Sequence, residues 1–162
     1  MKINQSDENL ELDLITPQWE CVKSNSKITI AVAGIQGGKT LTGSLWTVVQ
    51  SQKWNGKDNN AIIGAPDYKT LKQATLPRFI KVAGRFIKDY HQQDQVIEFF
   101  NGLRVFLRTA NKNPWSIEGI DNVRWVWIDE AGNCKHLFYI NAEGRAAPKD
   151  APIMMTTTPY GR

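Results

Sequence analysis

The stretch Ala33 to Thr40, A-G-I-Q-G-G-K-T, constrains this chain more than any other. Before it stands a short β-rich run, Lys27-Ile28-Thr29-Ile30-Ala31-Val32. After it comes Leu41 to Trp54, proline-free, with apolar residues at helical spacing. Strand, glycine-rich loop, helix is the context in which a phosphate-loop motif carries weight. A loop with little side-chain bulk can wrap a triphosphate and aim backbone N–H groups at its oxygens. The helix that follows adds the partial positive charge of its N-terminus. In the pattern G-x-x-x-x-G-K-[ST] the first glycine is replaced by the small Ala33. The candidate nucleotide contacts are Gly34, Gln36, Gly37, Gly38, Lys39, Thr40 and Leu41. Lys39 is expected to reach the β- and γ-phosphates, and the Thr40 hydroxyl to hold Mg²⁺. The competing explanation, a chance Gly-Lys-Thr in a surface turn, does not account for the flanking strand and helix.

At 162 residues the length suits one domain with a sizeable core. Hydrophobic residues make up 41% and no apolar run is long enough to span a bilayer, so a soluble domain without membrane contact is expected. The polar, acidic Met1 to Leu10 is unlike a signal peptide. Cys21 and Cys134 are far apart and lack metal-ligand spacing, as do the scattered His91 and His136; a reducing cytoplasm is the natural compartment. The formal charge of +4 permits a polyanionic partner without requiring one.

Along the chain, residues 1–15 form a lead-in, with a candidate short helix from Leu10 to Thr16. Residues 16–162 form the domain. Thr16-Pro17-Gln18-Trp19 marks a turn or helix start. Gln18 offers donor and acceptor to an adenine edge; a plain surface glutamine is the equal alternative. Ala61 to Ala65 is a second apolar strand. Asp67 caps a helix from Tyr68 to Ala74 or Thr75, which Pro77 breaks or kinks. Arg78 to Lys88 has the pattern of an amphipathic helix with a basic face; a solvated face is favoured over a DNA contact. Gln95–Phe100 and Leu103–Thr109 flank Asn101-Gly102, a hairpin signal in which both central residues take positive φ. Asn111 to Gly119 is a loop, Val123 to Ile128 a third buried strand, Cys134 to Ala146 a helix and Pro152 to Thr158 a fourth strand. The fold class is therefore α/β, a mostly parallel central sheet flanked by helices with an inserted β-hairpin. Ligands of such sheets sit beyond the carboxyl ends of the strands.

Two further motifs lie at strand ends. Val126-Trp127-Ile128-Asp129-Glu130-Ala131 delivers two adjacent acids. Asp129 is the candidate Mg²⁺ ligand and Glu130 the candidate general base. The alternative, an acidic pair capping the next helix, loses weight beside an upstream phosphate loop. Thr156-Thr157-Thr158-Pro159-Tyr160-Gly161 places hydroxyls next to the acidic strand. They are candidates to sense the γ-phosphate or the attacking water, or simply strand threonines.

The order of these motifs resembles the ATPase domain of a tailed-phage large terminase subunit, a P-loop NTPase. The matching residues are Gln18, A-G-I-Q-G-G-K-T, Ile63-Gly64-Ala65-Pro66, the hairpin at Asn101-Gly102, W-I-D-E-A at 127–131 and T-T-T-P-Y-G at 156–161. The hairpin before the acidic strand, with T-T-P-x-G after it, points to terminases rather than to P-loop ATPases at large. The resemblance implies Mg-ATP hydrolysis that drives double-stranded DNA into a procapsid, in the host cytoplasm. Its implied partners are DNA, a homo-oligomeric ring on a capsid portal and a small terminase subunit. At matching positions it implies that Gln18 contacts adenine, that Lys39 and Glu130 are catalytic, that Thr40 and Asp129 bind the metal, and that Thr157 and Thr158 couple hydrolysis to movement. Many terminases carry an arginine inside the loop where this chain has Ile35. The charge it would give the triphosphate must then come from elsewhere or be missing; a neighbouring subunit could supply it, with Arg108, Arg124 and Arg145 as candidates. Two rival functions share these motifs, a helicase-like DNA-remodelling ATPase and a non-catalytic P-loop assembly module. The acid cluster of a terminase nuclease domain does not occur in this sequence, so no nuclease activity is expected of it. A further strand commonly follows the coupling motif, so the ATPase core looks short.

Overall fold

A computed structural model describes residues 13–34 and 36–159. Ile35, Tyr160 to Arg162 and most of the lead-in, including the start of the candidate Leu10–Thr16 helix, lie outside the described residues. The architecture is a seven-stranded sheet of order β1-β7-β6-β2-β5-β4-β3. β1 (Ile28–Val32), β7 (Ile153–Thr157), β6 (Val123–Asp129), β2 (Asn60–Ala65) and β5 (Arg104–Thr109) run parallel. β4 (Val96–Phe99) and β3 (Ile87–His91) add antiparallel strands at the far edge.

The parallel strands have the composition their burial demands. β2 is buried at every position, and of β6 only Arg124 is not fully buried. Such strands read as continuous apolar runs because both faces are covered. On one face α1 (Thr16–Lys23), α2 (Lys39–Ser51) and α4 (Leu76–Ala83) pack over Ala61, Ile63, Trp125, Trp127 and Met154. On the other, α5 (His136–Ala146) sets Phe138 and Ala142 against Ile62, Val126, Ile128 and Ile153. Register pairs Ile28 with Ile153 and Ile30 with Met155, so Ile28, Ile30 and Val32 lie on this second face. There they stay open: Ile30 is 55% and Val32 57% exposed.

Three elements differ from expectation. The helix over Arg78–Lys88 ends at Ala83; a 3₁₀ turn (Gly84–Phe86) follows, and Ile87 opens β3. Pairing decides this. Ile87 registers with Phe99, and Lys88 sits 2.8 Å from Glu98 of β4 as an ion pair rather than on a helix face. Of the two alternatives at Pro77, a break and a kink, the break does not occur. A short α3 (Tyr68–Thr70), capped by Asp67 through the Thr70 N–H, runs through a π-helical stretch (Leu71–Thr75) into α4, whose first turn accepts the proline. The hairpin turn is longer than two residues. Leu103 accepts from the Phe99 N–H through its carbonyl, and only Gly102 is left-handed, with φ of 87°. Asn101 instead sends its amide to the carbonyls of Ser51 and Trp54, closing the end of α2.

Candidate active site

The site is assembled where α2 meets the carboxyl ends of β6 and β7. Gly43 allows this meeting. A Cβ at Gly43 would overlap the Trp127 indole, so the helix backbone lies directly against the strand that carries Asp129. Trp127 is held in turn: its Nε1–H donates to Thr156 Oγ1 at 2.9 Å. The result is that Thr40, in the first turn of α2, puts its hydroxyl 3.3 Å from Asp129 Oδ2. Residues 89 apart in sequence thereby face one another.

The loop turns on two left-handed positions. Gly38 is left-handed with φ of 75°, and Gln36 with φ of 64°. A Cβ at Gly38 would strike the Gln18 amide, which lies across the loop. Gln18 uses both ends of that amide: Oε1 accepts from the Ile15 N–H at 3.2 Å and Nε2 donates to the Gly37 carbonyl at 3.4 Å. Lys39 is buried, with Nζ donating to the Gly34 carbonyl at 2.9 Å.

Asp129 is 1% exposed. Three threonine hydroxyls surround its carboxylate: Thr40, Thr75 at 2.7 Å and Thr156 at 2.7 Å. Burial pushes its pKa above the ordinary aspartate value, opposed by the hydrogen bonds from Thr156 and Thr75 and assisted by the neighbouring Glu130 charge. Glu130 itself adopts a left-handed conformation, φ of 48° and ψ of 46°. This is an uncommon backbone for a non-glycine residue, found at functional sites where the surroundings over-determine it. Its carboxylate accepts from the Thr158 hydroxyl at 3.2 Å and from the Thr158 N–H at 3.4 Å. Thr157 accepts from the Gly132 N–H at 3.1 Å. Nearby, burial and the two acids push the Cys134 thiol up to about 12, so it stays protonated at neutral pH.

A cleft of about 320 Å³ opens over these groups, lined by Gln36, Gly38, Lys39, Thr40, Glu130 and Thr158 among others. The residues fit a magnesium nucleotide: a left-handed glycine cradle, a buried lysine, and one carboxylate beside one hydroxyl. Mg²⁺ is commonly held by one or two carboxylates together with substrate phosphates rather than by an all-protein cage. Two contributors were invisible in the sequence. Thr75 and Arg78 reach this edge from the α3–α4 segment, and no motif surrounds either. Thr156 serves as a strut, accepting from Trp127 and donating to Asp129.

The three candidate arginines lie elsewhere. Arg108 is half-buried, its guanidinium donating to the carbonyls of Ser116, Asp94, Gln95 and Leu107, and burial lowers its pKa. Arg124 stacks on Trp54, 4.3 Å from the ring centroid, and donates to Asn59 at the opposite edge of the sheet. Arg145 is 3.4 Å from Asp121, near the same opposite edge.

No protein-family profile matches this sequence, and no curated protein matches it. Solved structures do share the fold. The large terminase of a thermophilic bacteriophage superposes with a TM-score of 0.77 at 17% identity, covering 90% of this chain and 39% of that one. The large terminase ATPase domain of Thermus phage P74-26 gives 0.72 at 17% identity, covering 93% and 66%. The first of these proteins in complex with ADP gives 0.68 at 18% identity, covering 88% and 38%. This chain therefore has the fold of large terminase ATPase domains, and it spans about two fifths of the first protein's length.

Proposed function

We propose that this chain is the ATPase core of a viral DNA-packaging motor, which hydrolyses ATP with Mg²⁺ and couples the reaction to translocation of double-stranded DNA into a procapsid. The observation that carries the proposal is the approach of Thr40 to Asp129, which joins the phosphate loop and the acidic pair into one site. The terminase fold supports it, as does the binding of ADP and ATP-γ-S by the large terminase of the thermophilic bacteriophage.

In this mechanism the loop amides and Lys39 hold the phosphates, Lys39 exchanging the Gly34 carbonyl for a phosphate oxygen. Thr40 and Asp129 would hold Mg²⁺, which when bound draws charge from the phosphate oxygens. Glu130 takes a proton from the water that attacks the γ-phosphorus as the bond to ADP breaks. Thr158, bonded to Glu130, is placed to register the change in that carboxylate. Positioning and electrostatics supply the catalysis. The wider assembly is a homo-oligomeric ring on a capsid portal in the host cytoplasm, with a small terminase subunit as partner and an arginine contributed by a neighbour. Gln18 is the candidate adenine contact.

Two variants test the site. Lys39→Ala is expected to abolish turnover. Glu130→Gln is expected to retain nucleotide binding while losing hydrolysis; undiminished steady-state hydrolysis in it would refute the general-base role. Turnover stimulated by duplex DNA without strand separation on a forked substrate supports packaging, whereas unwinding would overturn it.

A further inference from the structure

The cleft that holds Lys39 and Glu130 is lined on one side by Arg78 of α4. Its side chain is exposed, and among the described residues it has no hydrogen-bond or ion-pair partner. Its placement is determined by its neighbours. Thr75, one helical turn earlier and so on the same side of the helix, donates to Asp129 at 2.7 Å. Leu76 and Phe79 on either side are buried in the core, Phe79 completely. The helix is thus clamped to the acidic strand end at Thr75, and Arg78 projects over the cleft about 4.5 Å further along the axis. Gln36, Gly37 and Thr158 line the same cleft.

The charges in the cleft need such a group. A triphosphate carries more negative charge than a diphosphate, and its added group is the terminal one. Among the described residues, the cations lining the cleft are Lys39, which belongs to the loop, and Arg78, which comes from outside it. Guanidinium is suited to a phosphate because its planar fork donates two parallel hydrogen bonds. We propose that Arg78 is a cis-acting terminal-phosphate contact, which makes the site discriminate nucleoside triphosphate from diphosphate. This rests on the nucleotide-site assignment above and names the group within it that senses the γ-phosphate.

The test is equilibrium binding of Mg-ATP-γ-S and Mg-ADP, by calorimetric titration, to the wild-type chain and to Arg78→Ala, Arg78→Lys and Lys39→Ala. Because Arg78 is exposed, its replacement should leave the thermal unfolding curve unchanged. Arg78→Ala should weaken ATP-γ-S about tenfold or more, the range of a lost charge-assisted contact, and leave ADP within about twofold. Arg78→Lys should recover part of the loss. Lys39→Ala should weaken both nucleotides. Equal losses for the two nucleotides in Arg78→Ala, or no loss for either, would overturn the Arg78 role while leaving the nucleotide site standing. A wild-type chain that binds neither nucleotide would overturn both.

Discussion

Asp129 concentrates the physical conflict of this site in one residue. A carboxylate at 1% exposure is poorly solvated, and three hydroxyls compensate only in part. Its pKa is raised on folding from the ordinary 3.8. The stability linked to it is therefore full below the unfolded value and is lost as pH rises through the folded one. Asp129→Asn removes that dependence while keeping the shape. In metal-free buffer the variant should melt at a higher temperature than wild type, with a gap that widens as pH rises from the ordinary aspartate value toward neutral. Calorimetry across that range checks it; a gap that shrinks with pH would contradict the assignment. The same variant should lose Mg-dependent hydrolysis. Lys39, Thr40, Asp129 and Glu130 were legible in the sequence because adjacency defines them: a lysine and hydroxyl after glycines, two acids after a strand. Thr75 and Arg78 were not, because their place is created by a π-helical segment and a contact spanning 54 residues.

At the scale of elements, the joint between α2 and β6 sets the geometry. Gly43 leaves room for Trp127, and Trp127 orients Thr156. Gly43→Ala should force the helix off the strand and cost about 1–3 kcal/mol, as overpacking does. Denaturant unfolding would register the loss, and Trp127 near the joint offers a fluorescence report. A wild-type midpoint would show that the indole has space to yield. The strands β2 and β6 were legible because burial on both faces leaves largely apolar runs, and β7 because an apolar start and a run of threonines lie between prolines. β3 was not. Phe86 to His91 continues the spacing of the preceding helix, and only the partner strand β4 decides that Ile87 pairs rather than coils. The hairpin was legible in place but not in turn type, because Asn101 is drawn to the end of α2.

For the molecule as a whole, the notable asymmetry is β1. Its only hydrogen-bonded neighbour among the described residues is β7, and Ile28, Ile30 and Val32 stand open on one face. An exposed apolar edge of this kind favours association between chains, and a lysine there opposes it. The chain should gain apparent mass with concentration in sedimentation experiments, and Ile30→Lys should suppress the gain; equal self-association of both would assign it to another surface. β1 also leads directly into the Ala33–Thr40 loop, while β7 ends one residue before Thr158, which touches Glu130. The Ala33 N–H donates to the Thr157 carbonyl at 3.3 Å, the last rung between the two strands. On the proposed function, grip and trigger would hang from a single seam, with no second strand among the described residues to steady the grip, so a tug on the trigger would be felt at once by the hand that holds the fuel.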